Sequence, residues 1–145
     1  MLDITQRIQA LQLPESSYII VGGSVLTALG LRELHDIDIL TTPEVFECFR
    51  QAGWQQVTWL GQPGLRHDVF EMGMQVHGYY VTDLLEGAYY IEGVPYINIE
   101  LLYAIKSYLR RPEDLRDIDL MTPYVPRFCT DCVRQSYRIV TNMYK

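Results

Sequence analysis

Residues 18–40, YIIVGGSVLTALGLRELHDIDIL, constrain the fold of this chain more than any other stretch. Tyr18 to Val21 is an unbroken apolar run, the pattern of a strand buried on both faces. It breaks at Gly22-Gly23-Ser24, and the residues after the break fit a short helix. From Asp36 the chain alternates acid, apolar, acid, apolar, which is the period of a strand. Glycines at a strand-to-helix turn let the backbone come close to a ligand, because no Cβ stands in the way. Ser24 is the expected N-cap of the helix, and a helix N-terminus offers free N–H groups and a positive dipole end to a phosphate. Asp36 and Asp38 share one strand face, roughly 6–7 Å apart. Two carboxylates that close repel each other unless a cation sits between them. A phosphate cradle followed by a carboxylate pair is the equipment of metal-assisted nucleotide chemistry.

The order GGS, short helix, DID resembles the nucleotidyltransferase superfamily, whose signature is a Gly-Gly or Gly-Ser turn, about a dozen residues, then Asp-x-Asp. Gly30-Leu31-Arg32, just ahead of Asp36, is similar to the small bacterial members of minimal and abortive-infection type. Leu34 stands where a Thr is common in the family. A second stretch, LLYAIKSYLRRPEDLRDIDLM at 101–121, resembles the run Leu-Leu, Lys, then Arg-Pro-Lys-Asp-Leu-x-Asp-Ile of the same proteins. Lys106, Arg111, Asp114 and Asp117 fall at the matching offsets, and Glu113 replaces the usual Lys.

The resemblance implies two Mg²⁺ ions on Asp36, Asp38 and a third carboxylate from a later strand. It also implies a nucleoside triphosphate gripped by Gly22, Gly23 and Ser24, with Arg32 and Lys106 as further nucleotide ligands. The activity implied is transfer of a nucleotidyl group to a hydroxyl of tRNA, protein or a small molecule, in a toxin-like or modifying role. Asp68 is the first choice for the third acid, since an acid followed by apolar residues after a glycine loop matches the pattern; Glu71 and Asp83 are the alternatives. Asp68 and Glu71 are an odd number apart, so on one regular strand they face opposite sides. The loop is neither a Walker A motif, lacking Gly-Lys-Ser/Thr, nor a dinucleotide fingerprint, lacking GxGxxG.

A chain of 145 residues suits one domain with an adequate core. Its net charge of −6 gives no general attraction to polyphosphate backbones, which argues against a dedicated nucleic-acid binder. The N-terminus lacks the pattern of a secretory signal, and no apolar run approaches the ~18 residues of a membrane span. With three cysteines, Cys48, Cys129 and Cys132, a reducing cytoplasmic setting is expected.

The periodicity predicts helices at 3–12, 24–31, 43–52, 99–110 and 112–120. Strands are expected at 18–22, 36–41, 54–60, 66–72 and 74–82, with a loop at 61–64. A hairpin at 88–91 and 94–98 turns at Glu92-Gly93. Thr42 and Asn98 are expected caps, with Pro43 and Pro112 in first turns. These elements describe an α+β protein of α/β-like order, a mixed sheet flanked by helices, over residues 1–122. A Pro-punctuated, weakly helical extension at 123–145 packs on the same domain.

Other residues have plainer readings. Asp114 and Asp117 suit a structural ion pair, and Arg111 a clamp at the helix corner. His35 and His67 precede strand aspartates and are surface residues or tuners of the metal site. Cys129 and Cys132 form half a zinc site without a second pair. The tyrosines between Tyr79 and Tyr103 serve sheet packing or base stacking. The competing reading of the whole chain is a non-catalytic interaction or regulatory module on the same fold.

Overall fold

The structure, a computed structural model, describes residues 3–127. Cys129, Cys132 and most of the expected extension lie outside the described residues. The chain divides into two compact units, residues 1–97 and 98–145.

The first unit carries α1 (Ile4–Gln9), β1 (Tyr18–Val21), α2 (Ser24–Ala28), β2 (Ile37–Thr41), α3 (Pro43–Gln51), β3 (Gln55–Trp59), β4 (Gln62–His67), β5 (Phe70–Gly73), α4 (Val81–Leu84), β6 (Tyr89–Ile91) and β7 (Val94–Tyr96). The seven strands form one mixed sheet in the order β3-β4-β5-β2-β1-β7-β6. Strands β1–β7 and β2–β5 pair in parallel, and the other neighbours are antiparallel. The α+β class with a mixed sheet and helices is therefore as expected. All four residues of β1 are buried, as its apolar run requires at the centre of a sheet covered on both faces. Ile19, Ile20, Ile37, Ile39, Leu65 and Met72 are fully enclosed and make the sheet's share of the core.

Local chemistry explains the ends of the elements. Asp3 Oδ1 accepts from the Gln6 N–H while Gln6 Oε1 accepts from the Asp3 N–H, a reciprocal cap on α1. The helix stops earlier than expected, and Gln12 takes a positive φ of 54°. Pro43 opens α3 as expected, but the Thr42 hydroxyl makes no capping bond. Tyr96 is buried, and its hydroxyl meets Thr5 Oγ1 at 2.8 Å. Burial raises that phenol's pKa, against the opposing effect of the hydrogen bond with Thr5.

Three expectations in the middle of the chain are corrected. The 61–64 loop is a tighter turn at Leu60-Gly61, both with positive φ, and Gln62 already belongs to β4. The single strand at 66–72 is two, β4 and β5, separated by Asp68-Val69. The strand at 74–82 does not form. His77 and Gly78 turn the chain, Val76 and Tyr79 exchange backbone hydrogen bonds at 3.0 and 2.8 Å, and α4 follows. Aromatic and β-branched composition does not outweigh two successive positive-φ residues.

The second unit contains α5 (Ile99–Leu109), α6 (Pro112–Met121) and a 3₁₀ segment over Thr122–Arg127. Asn98 caps α5, its Oδ1 accepting from the N–H groups of Glu100 and Leu101 at 2.9 and 3.2 Å. Arg110, at φ 51°, ends the helix, and Pro112 starts α6.

Candidate functional site

The strand β1 ends at Val21, opposite Asp38 of β2. Gly22 then takes a positive φ of 66°, which a side chain resists. Gly23, not Ser24, occupies the N-cap of α2, and no side chain caps that helix. The Ser24 hydroxyl works elsewhere. It accepts from the Asp38 N–H at 3.1 Å and donates to the Asp36 carbonyl at 3.1 Å. One buried side chain thus stands in for a missing strand neighbour and fixes the backbone of both aspartates relative to the glycine turn. With only five residues, α2 has little macrodipole to offer a phosphate, so the turn's backbone matters more than the helix.

The two glycines are occupied by charge. A Cβ on Gly22 would lie 2.7 Å from Asp38 Oδ2, and one on Gly23 would lie 2.4–2.5 Å from the guanidinium of Arg32. The carboxylate of Asp38 and the guanidinium of Arg32 therefore rest against the bare backbone of the turn. Gly22, Gly23, Ser24, Arg32 and Asp38 meet here, and Asp36 is tied in through its carbonyl. Asp36 itself is exposed just ahead of β2, while Asp38 is half-buried.

Across the parallel β2–β5 pair, Asp38 is in register with Glu71, and Glu71 is in register with Arg66 on β4. Registered residues share a sheet face, so Val21, Asp38, Glu71 and Arg66 form a row over four strands. Arg66 Nη2 donates to Glu71 Oε1. The guanidinium's pKa is raised first by that hydrogen bond, then by the Glu71 charge and, to a smaller extent, by the charge of Asp36. Arg66 was not among the residues singled out from the sequence. Only the register of β4 against β5 reveals it.

The remaining expected residues lie elsewhere. Asp68 is in the β4–β5 turn at φ 53°, off the strand on which it was expected. Its side chain is 62% exposed and stands 3.9 Å from Arg7 Nη1. Asp83 lies in α4, where Oδ2 accepts from the Tyr80 N–H at 2.8 Å. His67 stacks on Trp54 at 5.2 Å, in an aromatic group with Phe49 and Phe70. Since Phe70 and His67 alternate with Glu71 and Arg66, that group occupies the opposite sheet face from the carboxylates. The exposed His35 has no partner role assigned by the geometry.

Lys106 belongs to the second unit. Its Nζ lies 2.8 Å from Asp117 Oδ2 and 3.4 Å from Asp114 Oδ1, with all three side chains buried. Arg111 adds Nε and Nη2 contacts to Asp114 at 2.7 and 3.1 Å, and its backbone N–H donates at 3.0 Å. Burial alone would raise the Asp114 pKa. The hydrogen bonds from Arg111 and the charges of Lys106 and Arg111 outweigh it and hold the carboxyl below its ordinary value. The expected contact of Lys106 with a triphosphate gives way to this buried ion-pair network.

Among the described residues no group of three His, Cys, Asp or Glu side chains is arranged to hold a metal ion. Asp38 and Glu71 lie in register on one sheet face, Asp36 stands just ahead of β2, and all three are carboxylates. Mg²⁺ is commonly held by one or two carboxylates together with waters and substrate phosphates. The carboxylates here form no closed protein cage among the described residues. No helix among the described residues is long and apolar enough to cross a membrane. Compared with known protein families, curated proteins and solved structures, the chain matches none.

Proposed function

We propose that the chain transfers a nucleotidyl group from a nucleoside triphosphate to a hydroxyl acceptor, with Mg²⁺, at the site built around Asp38. The observation that carries the reading is the position of that one carboxylate. It rests on the Gly22 backbone and stands in register with Glu71 on the neighbouring strand. One acid thus lies against a side-chain-free turn with a second in register on the next strand, which supports a site for a polyphosphate and its counter-ion.

In this reading Asp38 and Glu71 hold the ion, and Asp36, exposed just ahead of β2, contributes beside them. A bound Mg²⁺ supplies charge neutralisation to the triphosphate and lowers the pKa of the acceptor hydroxyl. Gly22 and Gly23 leave the backbone open to phosphate oxygens, and Arg32, lying against Gly23, is the cation at hand for them. The acceptor oxygen bonds to the α-phosphorus as the α–β phosphoanhydride bond breaks. The hydroxyl proton leaves to solvent, and pyrophosphate departs. The protein contributes position and fixed charge rather than covalent chemistry. Ser24 holds Asp36 and Asp38 in place by their backbone.

The acceptor is tRNA, a protein or a small molecule bearing a hydroxyl. The test is incubation with each α-labelled nucleoside triphosphate, Mg²⁺ and cellular RNA or protein. Label should move to an acceptor with the native chain and not with an Asp36→Ala/Asp38→Ala variant. Equal transfer by both would refute the assignment.

A further inference from the structure

The sheet ends at β3 and at β6, and among the described residues no strand pairs with either on its outer side. The β3 edge carries the exposed polar residues Gln55, Gln56 and Thr58, with Arg66 opposite Gln55. The β6 edge holds no Lys, Pro or bulge, the usual guards against a stray strand. In the β6–β7 ladder Tyr90 stands opposite Pro95, between the Tyr89–Tyr96 and Ile91–Val94 pairs. Pro95 has no N–H, so Tyr90–Pro95 is the pair that exchanges no hydrogen bonds. The N–H and C=O of Tyr90 therefore point away from β7, off the edge. Tyr90 is 62% exposed, and Tyr89, whose side chain takes the opposite sheet face, is exposed as well. The border is also of one charge. From Gly78 to Ile97 the chain has no Lys, Arg or His, and its acids there, Asp83, Glu86 and Glu92, are all exposed. Beside burial, the charges of Asp3 and Glu92 raise the pKa of Tyr96 in the adjoining strand, so the cap of α1 brings a further acid to this border. A second copy of β6 laid against the first would set acids against acids, with no cation in the segment to offset them.

We propose that the outer edge of β6 docks an extended, basic peptide segment of a partner protein, which joins the sheet as a further strand. Tyr90 supplies the outward donor and acceptor that fix the segment along the edge. Two successive Lys or Arg residues in an extended segment project to opposite faces. Each then meets one exposed tyrosine ring, Tyr90 or Tyr89, as a cation over an aromatic face. Glu86 and Glu92, on either side of β6, add opposite charge. With three residues in β6 the pairing makes few backbone bonds, so these side chains decide the affinity and the choice of partner. The surface owes nothing to the reading of Asp38, since β7 and β1 stand between it and β2.

The experiment titrates the full chain into a fluorescently labelled peptide, Thr-Val-Arg-Lys-Val-Thr, and follows anisotropy. The native chain should bind it, and an analogue with Glu at both basic positions should not bind. Tyr90→Pro removes the outward donor and the ring while leaving the bonds to β7, and should weaken binding about tenfold or more. Glu86→Gln with Glu92→Gln should weaken it about twofold to fivefold, the range of exposed charge pairs. The same peptide N-methylated at both basic residues keeps its charge but cannot pair as a strand on either edge. It should lose binding to the native chain, which decides the matter even if Tyr90→Pro does not fold. No binding of the basic peptide to the native chain, or equal binding of its N-methylated form, would overturn the proposal. Sedimentation of the native chain as a dimer that Tyr90→Pro converts to a monomer would give the edge to a second copy and overturn it too.

Discussion

Asp38 and Glu71 are in register, on one sheet face, across two parallel strands that are separated in sequence by the α3 helix and a hairpin. This places Glu71, rather than Asp68, beside the Asp36–Asp38 pair. In the proposed site, Glu71→Gln should abolish Mg²⁺-dependent nucleotidyl transfer, a loss of about a hundredfold or more for a direct ion ligand. Asp68→Asn, in an exposed turn, should leave activity within about twofold, because exposed ion pairs contribute little. Steady-state rates of the two variants decide between them.

Ser24→Ala removes the bonds to the Asp36 carbonyl and the Asp38 N–H at a buried position. A loss of ~1–3 kcal/mol is expected, seen as a melting temperature lower by several degrees. Ser24→Thr should not rescue it fully, since the added methyl enters a packed position. Thermal denaturation followed by circular dichroism checks both.

The paired glycines should differ. Gly22→Ala forces a Cβ onto a positive φ and against Asp38, so it should cost ~1–2 kcal/mol in backbone strain and displace the carboxylate. Gly23→Ala meets a side-chain end, the guanidinium of Arg32, rather than backbone, at an ordinary negative φ, so it should cost less stability than Gly22→Ala while weakening nucleotide binding. Urea unfolding beside nucleotide titration separates the two effects.

Lys106→Met leaves Asp114 and Asp117 buried without their shared ammonium. A destabilisation of about 3–5 kcal/mol is expected, and the triple change with Asp114→Asn and Asp117→Asn should recover much of it. Asp114 also adds a pH dependence. Its folded pKa is depressed, so the stabilisation is present above the ordinary carboxyl value and is lost as pH falls through the folded one. Urea midpoints should therefore drop below about pH 4, and Asp114→Asn should flatten that decline.

Local signals carried well from sequence to structure where a single residue sets the geometry. The Asn98 cap, the Pro43 and Pro112 helix starts and the Glu92-Gly93 turn are of this kind. The apolar run of β1 and the alternation of β2 likewise marked their strands. Strand breaks at Asp68 and His77 were not legible, because neither residue announces a positive φ as glycine does. The Glu71–Arg66 relation was hidden by the same break, since it is an antiparallel contact across the Asp68-Val69 turn within what was expected to be one strand. The Asp38–Glu71 register was hidden for a different reason: parallel pairing at long range leaves no periodic trace in the chain. Ser24 was visible as a site residue, but its work on the strand rather than the helix depends on that same tertiary placement.

The most direct measurement is calorimetric titration of ATP, GTP, CTP and UTP, each with and without Mg²⁺, into the native chain and an Asp38→Asn variant. At least one nucleotide should bind the native chain only when Mg²⁺ is present, and that binding should be lost in Asp38→Asn while the fold is retained. Nucleotide binding of equal strength in the variant, or no Mg²⁺-dependent binding to the native chain, would contradict the account.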